Sequence, residues 1–254
     1  MSISEVGTSR LGIHPPEFKC DDPIGPGIEP PLPEKAFAMA LIGAPGSGKT
    51  SLIVDMLTDP MKYQKKFDHI HLIAPEQSVA SLKEDIWRSH PPEKMHTDVS
   101  PVTIASIENR CKARAMAKPK AETTLLIIDD MAVFLKQKAV EEKLRDLIFK
   151  RRHIRLSICI LVQSFKAMPL DLRKSLSHFV LFRPRNKKEA EAIWEELLFV
   201  PKQVGETVLQ YTYQDEHDFL FGDVDKGLLH RNFNLLNIDN SNKTPGAAPP
   251  LPEG

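Results

Sequence analysis

The sequence predicts an α/β fold, with a mostly parallel central sheet, helices on both faces and a C-terminal hairpin. Three observations carry that prediction. Apolar strand-like runs alternate with helical patterns through the middle of the 254-residue chain, the signature of buried parallel strands joined by helical crossovers. The stretch Gly43-Ala44-Pro45-Gly46-Ser47-Gly48-Lys49-Thr50 lies between the first apolar run and the first helical pattern. It fits the phosphate-binding loop G-x-x-x-x-G-K-[ST] without a gap. Finally, the apolar run Leu125-Leu126-Ile127-Ile128 ends on two adjacent carboxylates, Asp129 and Asp130.

Taken in order, residues 1–34 carry seven prolines from Pro15 to Pro33 with little apolar patterning and read as an irregular or extended arm. Strands are predicted at 37–42, 69–74, 124–129, 154–162 and 178–183, and Val102-Thr103-Ile104-Ala105 reads as a further short strand. Helical patterns fall near 49–58, 77–89, 137–151, 169–176 and 187–198. After residue 215, the runs 218–224 and 227–233 read as a hairpin extending the sheet. Residues 240–254 form a second proline-rich tail, so the predicted organisation is an arm over 1–34, one domain over 35–239 and a flexible tail. The two tails share a pentapeptide, Pro30-Pro31-Leu32-Pro33-Glu34 and Pro249-Pro250-Leu251-Pro252-Glu253. It reads either as coincidence between proline-rich segments or as a polyproline II ligand presented twice.

Hydrophobic content of 41% and charged content of 27% are those of an ordinary chain with a real core. Lys plus Arg and Asp plus Glu both number 34, so any nucleic-acid surface must be a local patch. Cys20, Cys111 and Cys159 are odd in number and widely spaced, which argues against a disulfide framework or a zinc site. No secretory leader is evident, and no apolar stretch approaches the roughly 18 residues of a membrane span.

The loop residues Gly43 to Thr50, with Ser51 behind them, are the predicted nucleotide-binding set. Backbone N–H groups and the helix N-terminus would hold phosphate oxygens, Lys49 would reach the β- and γ-phosphates, and the Thr50 hydroxyl would hold Mg2+. A nucleoside triphosphate is the expected ligand. Paired acids at the end of a buried strand must be solvated, paired or bound to a cation. Asp129 is therefore the expected Mg2+ ligand and Asp130 the residue that orients the attacking water. Alternatively, Asp130 caps a following helix. The run ending at Val162 leads into Gln163-Ser164. A polar side chain at the carboxyl end of a parallel strand points into the ligand crevice, so Gln163 would meet the γ-phosphate or the lytic water, unless it merely caps backbone.

A GTPase would want a glycine soon after the paired acids, where Met131-Ala132 stand, and Asn186-Lys187-Lys188-Glu189 echoes a guanine-reading motif but ends in Glu. It reads better as the opening of a charged helix. The arginine-rich lid of a small-metabolite kinase is not evident. Between Asn109 and Ala121 lie Arg110, Lys112, Arg114, Lys118 and Lys120 with no acid among them. This reads as a loop able to track phosphates without reading sequence, or as a solvated charge run. Lys166, Arg173 and Lys174 are candidate second contacts.

In this order, the phosphate loop, Asp129-Asp130, Arg152-His153 before a strand, Gln163-Ser164 after it, and His178 to Arg183 resemble the genome-packaging ATPases of large double-stranded DNA viruses, in the FtsK–HerA branch. The resemblance covers about residues 36–235. It implies a P-loop NTPase fold of the RecA/FtsK-like type, with the Gln163 strand between the phosphate-loop strand and the Asp129 strand. It also implies ATP hydrolysis driving double-stranded DNA into a preformed capsid, in a homo-oligomeric ring at the virus assembly site in the host cytoplasm, with capsid or vertex proteins as further partners. Within it, Arg152 is the candidate arginine finger toward a neighbour's nucleotide, with Arg151 and Arg155 as rivals. Asp130 departs from the Glu usual in the bacterial translocases. A segregation or conjugation translocase and a nucleotide-dependent capsid-assembly switch are the alternatives.

Overall fold

The computed structural model describes residues 22–76, 87–117, 120–198 and 201–238. Strands β1 (Ala38–Ile42), β2 (His69–Ile73), β3 (Met95–His96), β4 (Thr124–Asp129), β5 (Leu156–Val162), β6 (His178–Phe182), β7 (Phe219–Asp223), β8 (Leu228–Arg231) and β9 (Asn234–Leu235) form one sheet. Its order is β3-β2-β4-β5-β1-β6-β7-β8-β9, parallel as far as β6 and antiparallel beyond it. β5 does lie between β1 and β4, pairing Val162 with Ile42 and Leu161 with Asp129. Every residue of β1 and β5 is buried, as a central strand covered on both faces requires. The terminal hairpin extends the sheet from β6 as expected.

Side chains alternate between two cores. On one face Ala38, Ala40, Ile42 and Ile158 meet α2 (Pro101–Ala115), α4 (Lys138–Lys150) and the turn at Trp194. On the other, Phe37, Met39, Leu41 and Ile127 meet α1 (Lys49–Thr58), Tyr63 and Phe67. Short α3 (Ala132–Leu135) follows β4, and α5 (Leu170–Arg173) is shorter than the helix expected there. α6 (Lys187–Ile193) runs on into a π-turn at Trp194–Leu198. α7 (Lys202–Thr212) was not expected. Gly205 weakens its sequence signal, yet a Cβ there would fall 2.6 Å from Trp194 Nε1, so the close helix contact requires glycine.

Two expectations are corrected and a third is sharpened. Val102-Thr103-Ile104-Ala105 is not a strand but the first turn of α2, where the Ser100 side chain accepts the Thr103 N–H at 3.1 Å and Pro101 opens the helix. Cap and proline outweigh the β-branched residues. Ile104, Ile107 and Cys111 then share the buried face. The basic stretch from Arg110 is accordingly helical rather than a loop up to Ala115. Third, the arm is packed where it is described: Ile24, Ile28 and Leu32 are buried against the Phe37–Tyr63 cluster, and Tyr63 Oη donates to the Pro33 carbonyl at 3.0 Å. The first pentapeptide is thus anchored to the core by Leu32, at 5% exposure, while Pro30 and Glu34 are exposed, so its central apolar side chain is not free for a partner groove. Its C-terminal copy lies outside the described residues, as does the helix expected over 77–89 except for its last three residues.

Candidate functional site

The carboxyl ends of β1, β4 and β5 bring the predicted loop, acids and glutamine together. The loop leaves β1 at Gly43, whose N–H donates to Val162 O at 3.1 Å. A Cβ at Gly43 would stand 2.5 Å from Ser47 Oγ and 2.8 Å from Phe182 Cβ, so the loop turns against β6 only because that residue is glycine. Gly48, at φ 104, starts α1 in a conformation that L side chains avoid. The Ser47 hydroxyl is buried without a partner among the described residues, a polar atom inside a loop of phosphate-binding pattern.

Lys49 Nζ donates to the carbonyls of Gly43 at 2.5 Å and Ala44 at 3.0 Å. Burial lowers its pKa, and the carboxylates of Asp129 and Asp130 oppose that shift. Thr50 Oγ1 donates to Asp129 Oδ2 at 3.4 Å. Burial pushes the Asp129 carboxyl above its ordinary range and neighbouring Asp130 adds to this, while Lys49 and Thr50 pull it down. Asp130 sits at φ 53, left-handed for a non-glycine residue, and its Oδ1 accepts from Gln163 Nε2 at 2.8 Å. Strained backbone of this kind concentrates at functional sites. Asp130 does not cap a helix: Met131 is the residue before α3.

Arg152 lies elsewhere. It is exposed in the turn before β5, at the amino ends of the parallel strands. The seven residues of β5, at about 3.3 Å each, separate it from Gln163 by roughly 20 Å. Within one chain it therefore does not reach the loop. Of its rivals, Arg155 is held by Asp22 at 3.1 Å and by the Pro23 carbonyl. Half-buried Arg151 donates to Ile148 O at 3.0 Å, and burial beside Arg152 lowers its pKa.

The basic residues do not form one patch. Arg110, Lys112 and Arg114 lie on α2, whose last turn meets Glu122 just before β4, at the amino end of the sheet. Lys112 pairs with buried Glu108 at 2.6 Å, and Arg114 contacts His71 Nε2 at 3.2 Å. Lys118 is outside the described residues and Lys120 is exposed. Lys166 follows β5 at the opposite end, Lys174 lies in the crossover that returns to the start of β6, and Arg173 is occupied by Glu196 at 2.8 Å and by the Phe165 ring.

Sequence reasoning missed the third wall of the site, the segment after β6. A cavity of about 140 Å3 lies between Gly43-Ala44, Gln163-Ser164 and the run through Arg183, Arg185 and Glu189. Asn186 caps α6 by accepting the Glu189 N–H at 2.9 Å, so the Asn-Lys-Lys-Glu stretch opens a helix as expected. The Glu189 side chain in turn accepts the Phe165 N–H at 2.7 Å. The signal was available: Arg185 lies beyond the carboxyl end of a strand beside β1, the rule that singled out Gln163.

Known proteins resemble this chain in sequence and in fold. The family described as Poxvirus A32 protein matches residues 29–202. The DNA packaging protein OPG160 of Vaccinia virus (strain Copenhagen) is 28% identical over 149 residues, 58% of this chain and 53% of the relative. That of Monkeypox virus is also 28% identical, over 58% of this chain and 47% of the relative. The chain thus spans about half the length of the relatives it matches. Among solved structures, the genome packaging NTPase B204 from Sulfolobus turreted icosahedral virus 2, in complex with ATP-gammaS, superposes with a TM-score of 0.56 at 21% identity, covering 79% of this chain and 98% of B204. B204, the DNA-packaging ATPase from Sulfolobus Turreted Icosahedral Virus, gives 0.56 at 20%, over 77% and 96%. At that identity the likeness is one of fold.

Proposed function

This chain belongs to the Poxvirus A32 protein family, and we propose that it is the ATPase of a motor that moves double-stranded viral DNA into a preformed capsid. The observation that carries the reading is the convergence of the Lys49 loop, the Thr50–Asp129 contact and the Gln163–Asp130 contact at the carboxyl ends of three adjacent strands. The names of the relatives support DNA as the cargo. No helix among the described residues is long and apolar enough to cross a membrane. Residues 35–239 are the proposed ATPase domain, strapped by the packed part of the arm.

Water attacks the γ-phosphorus, the bond to the β–γ bridging oxygen breaks, and ADP leaves with phosphate released. Gly43, Ala44, Pro45, Gly46, Ser47, Gly48 and Ser51 frame the triphosphate; the unpartnered Ser47 hydroxyl supports that use. Lys49 gives up its two carbonyl contacts for phosphate oxygens. Asp130, positioned by Gln163, orients the water. Thr50 and Asp129 are hard oxygen donors, and burial and the neighbouring Asp130 raise the pKa of Asp129 in spite of Lys49, as expected where a further cation belongs, so both fit Mg2+. The ion would neutralise phosphate charge there. Arg152, too far for its own loop, serves the nucleotide of the next subunit in a homo-oligomeric ring.

The test is ATP hydrolysis with and without duplex DNA for the native chain, Lys49→Ala, Asp130→Asn and Arg152→Ala. Stimulation by DNA that weakens steeply with salt is expected, and each variant should lose at least about tenfold. Mixing Arg152→Ala with Lys49→Ala subunits should restore part of the rate. Hydrolysis indifferent to DNA overturns the motor. Absence of rescue, with subunit exchange confirmed, overturns the finger.

A further inference from the structure

We propose that Arg185 senses the terminal phosphate of the nucleotide bound by its own chain, and that it is why the site distinguishes a triphosphate from a diphosphate. This rests on the nucleotide-site reading above. The cavity between the loop and β6 has about 140 Å3. At roughly 30 Å3 per water, that is the room of about four or five waters, enough to admit a phosphoryl group. Its walls are the first two residues of the phosphate loop, Gln163-Ser164 and the segment carrying Arg185.

Three charged residues line it, and the side chains of two are occupied. Arg183 donates to Tyr213 O at 2.5 Å and lies over the Tyr213 ring. Glu189 accepts the Phe165 N–H. Arg185 is exposed and, among the described residues, has neither a hydrogen-bond nor an ion-pair partner. A planar guanidinium beside a phosphate loop is matched to paired phosphate oxygens.

The same segment connects to the catalytic strand. Arg185 precedes Asn186, which caps α6 through the Glu189 N–H, and Glu189 holds the backbone two residues beyond Gln163. Drawing Arg185 toward a γ-phosphate pulls on a strap fastened to the Gln163 segment. Loss of that phosphate releases it.

Equilibrium binding of fluorescent ATP and ADP analogues to the full chain tests this. Arg185→Ala should lower the ratio of ATP to ADP affinity by about 10- to 100-fold, the worth of a charged hydrogen bond, with the urea midpoint unchanged. Arg185→Lys should recover part of it. Lys187→Ala removes a neighbouring cation paired with Glu206 at 2.7 Å and should leave the ratio unchanged. Mixing Arg185→Ala with Lys49→Ala subunits should give no rescue, because the contact is made in cis. An unchanged ratio in Arg185→Ala, or rescue by mixing, overturns this inference alone. A native chain that binds neither nucleotide overturns the nucleotide site, and this with it.

Discussion

Gly43→Ala is the perturbation whose cost the geometry fixes most closely. The added Cβ would lie 2.5 Å from Ser47 Oγ, 2.8 Å from Phe182 Cβ and 3.1 Å from Phe182 Cδ2. Ser47 and the Phe182 ring can rotate, but Phe182 Cβ cannot. It belongs to β6, which is held to β1 by the register of Ile42 on Leu181. The loop must therefore yield by several tenths of an ångström, carrying its amides off the line on which they meet phosphate oxygens. Overpacking of this kind costs about 1–3 kcal/mol of stability. Nucleotide affinity should fall about 10- to 100-fold, or about 1.4–2.8 kcal/mol. The assays are a urea midpoint and titration with a fluorescent ATP analogue. Adding Ser47→Ala removes the shortest contact but leaves Phe182 Cβ, so the double variant should recover little. Affinity within about twofold of native for Gly43→Ala would refute the wedge between loop and β6.

Two further perturbations address parts of the fold that support the site. Leu32→Ala, in the first pentapeptide, should cost about 2–5 kcal/mol in a denaturant titration, as a buried leucine does; an effect below about 0.5 kcal/mol would contradict its packing on Tyr63. Glu108 is buried between Lys112 at 2.6 Å and Lys143 at 2.9 Å, and the Lys112 hydrogen bond, reinforced by Lys143 against the opposing effect of burial, lowers its pKa from 4.5 to about 2. The unfolded chain therefore takes up this proton first. The stability that Glu108 contributes is complete above about pH 4.5, declines as the pH falls, and is gone below about 2. Glu108→Gln should lower stability at pH 7 by about 1.5–3 kcal/mol, the worth of a hydrogen bond to a charged group. It should also flatten that acid limb; an unchanged limb would refute the assignment.

How far the sequence is legible follows from how local each signal is. Gly43 to Thr50 and Asp129-Asp130 are contiguous patterns, and strand, turn and helix in that order leave them one geometry. Gln163 was legible because a polar residue ending a wholly apolar run has few other reasons to be there. The first turn of α2 was misread because Val102, Thr103 and Ile104 are β-branched, while the deciding signals, Ser100 and Pro101, precede them. The packed arm was not legible: Ile24, Ile28 and Leu32 are sparse among prolines, and the surface that buries them, Tyr63 and Phe67, comes some 30 residues later. Arg185 needed the cavity, since the sequence does not reveal which of several surface cations lacks a partner.

β5 has a consequence for the proposed ring. Gln163 follows its carboxyl end and Arg152 precedes its amino end, every residue from Leu156 to Val162 is buried, and Ile158 to Leu161 are paired on both sides. A buried strand whose middle is paired on both sides neither bends nor slides cheaply, because a one-residue shift in register would move each side chain to the opposite core. On the proposed reading, a displacement of Gln163 when Asp130 or the γ-phosphate changes is carried along β5 to Arg152, which faces a neighbour's nucleotide. The element that detects hydrolysis in one subunit is then the one that presents the finger to the next. Replacing Cys159, in the middle of β5 and buried, with the bulkier Phe should overpack both flanking strands. Loss of DNA-stimulated turnover that exceeds the loss of ATP affinity would support this rigid link; equal losses would argue that the strand only holds the site together.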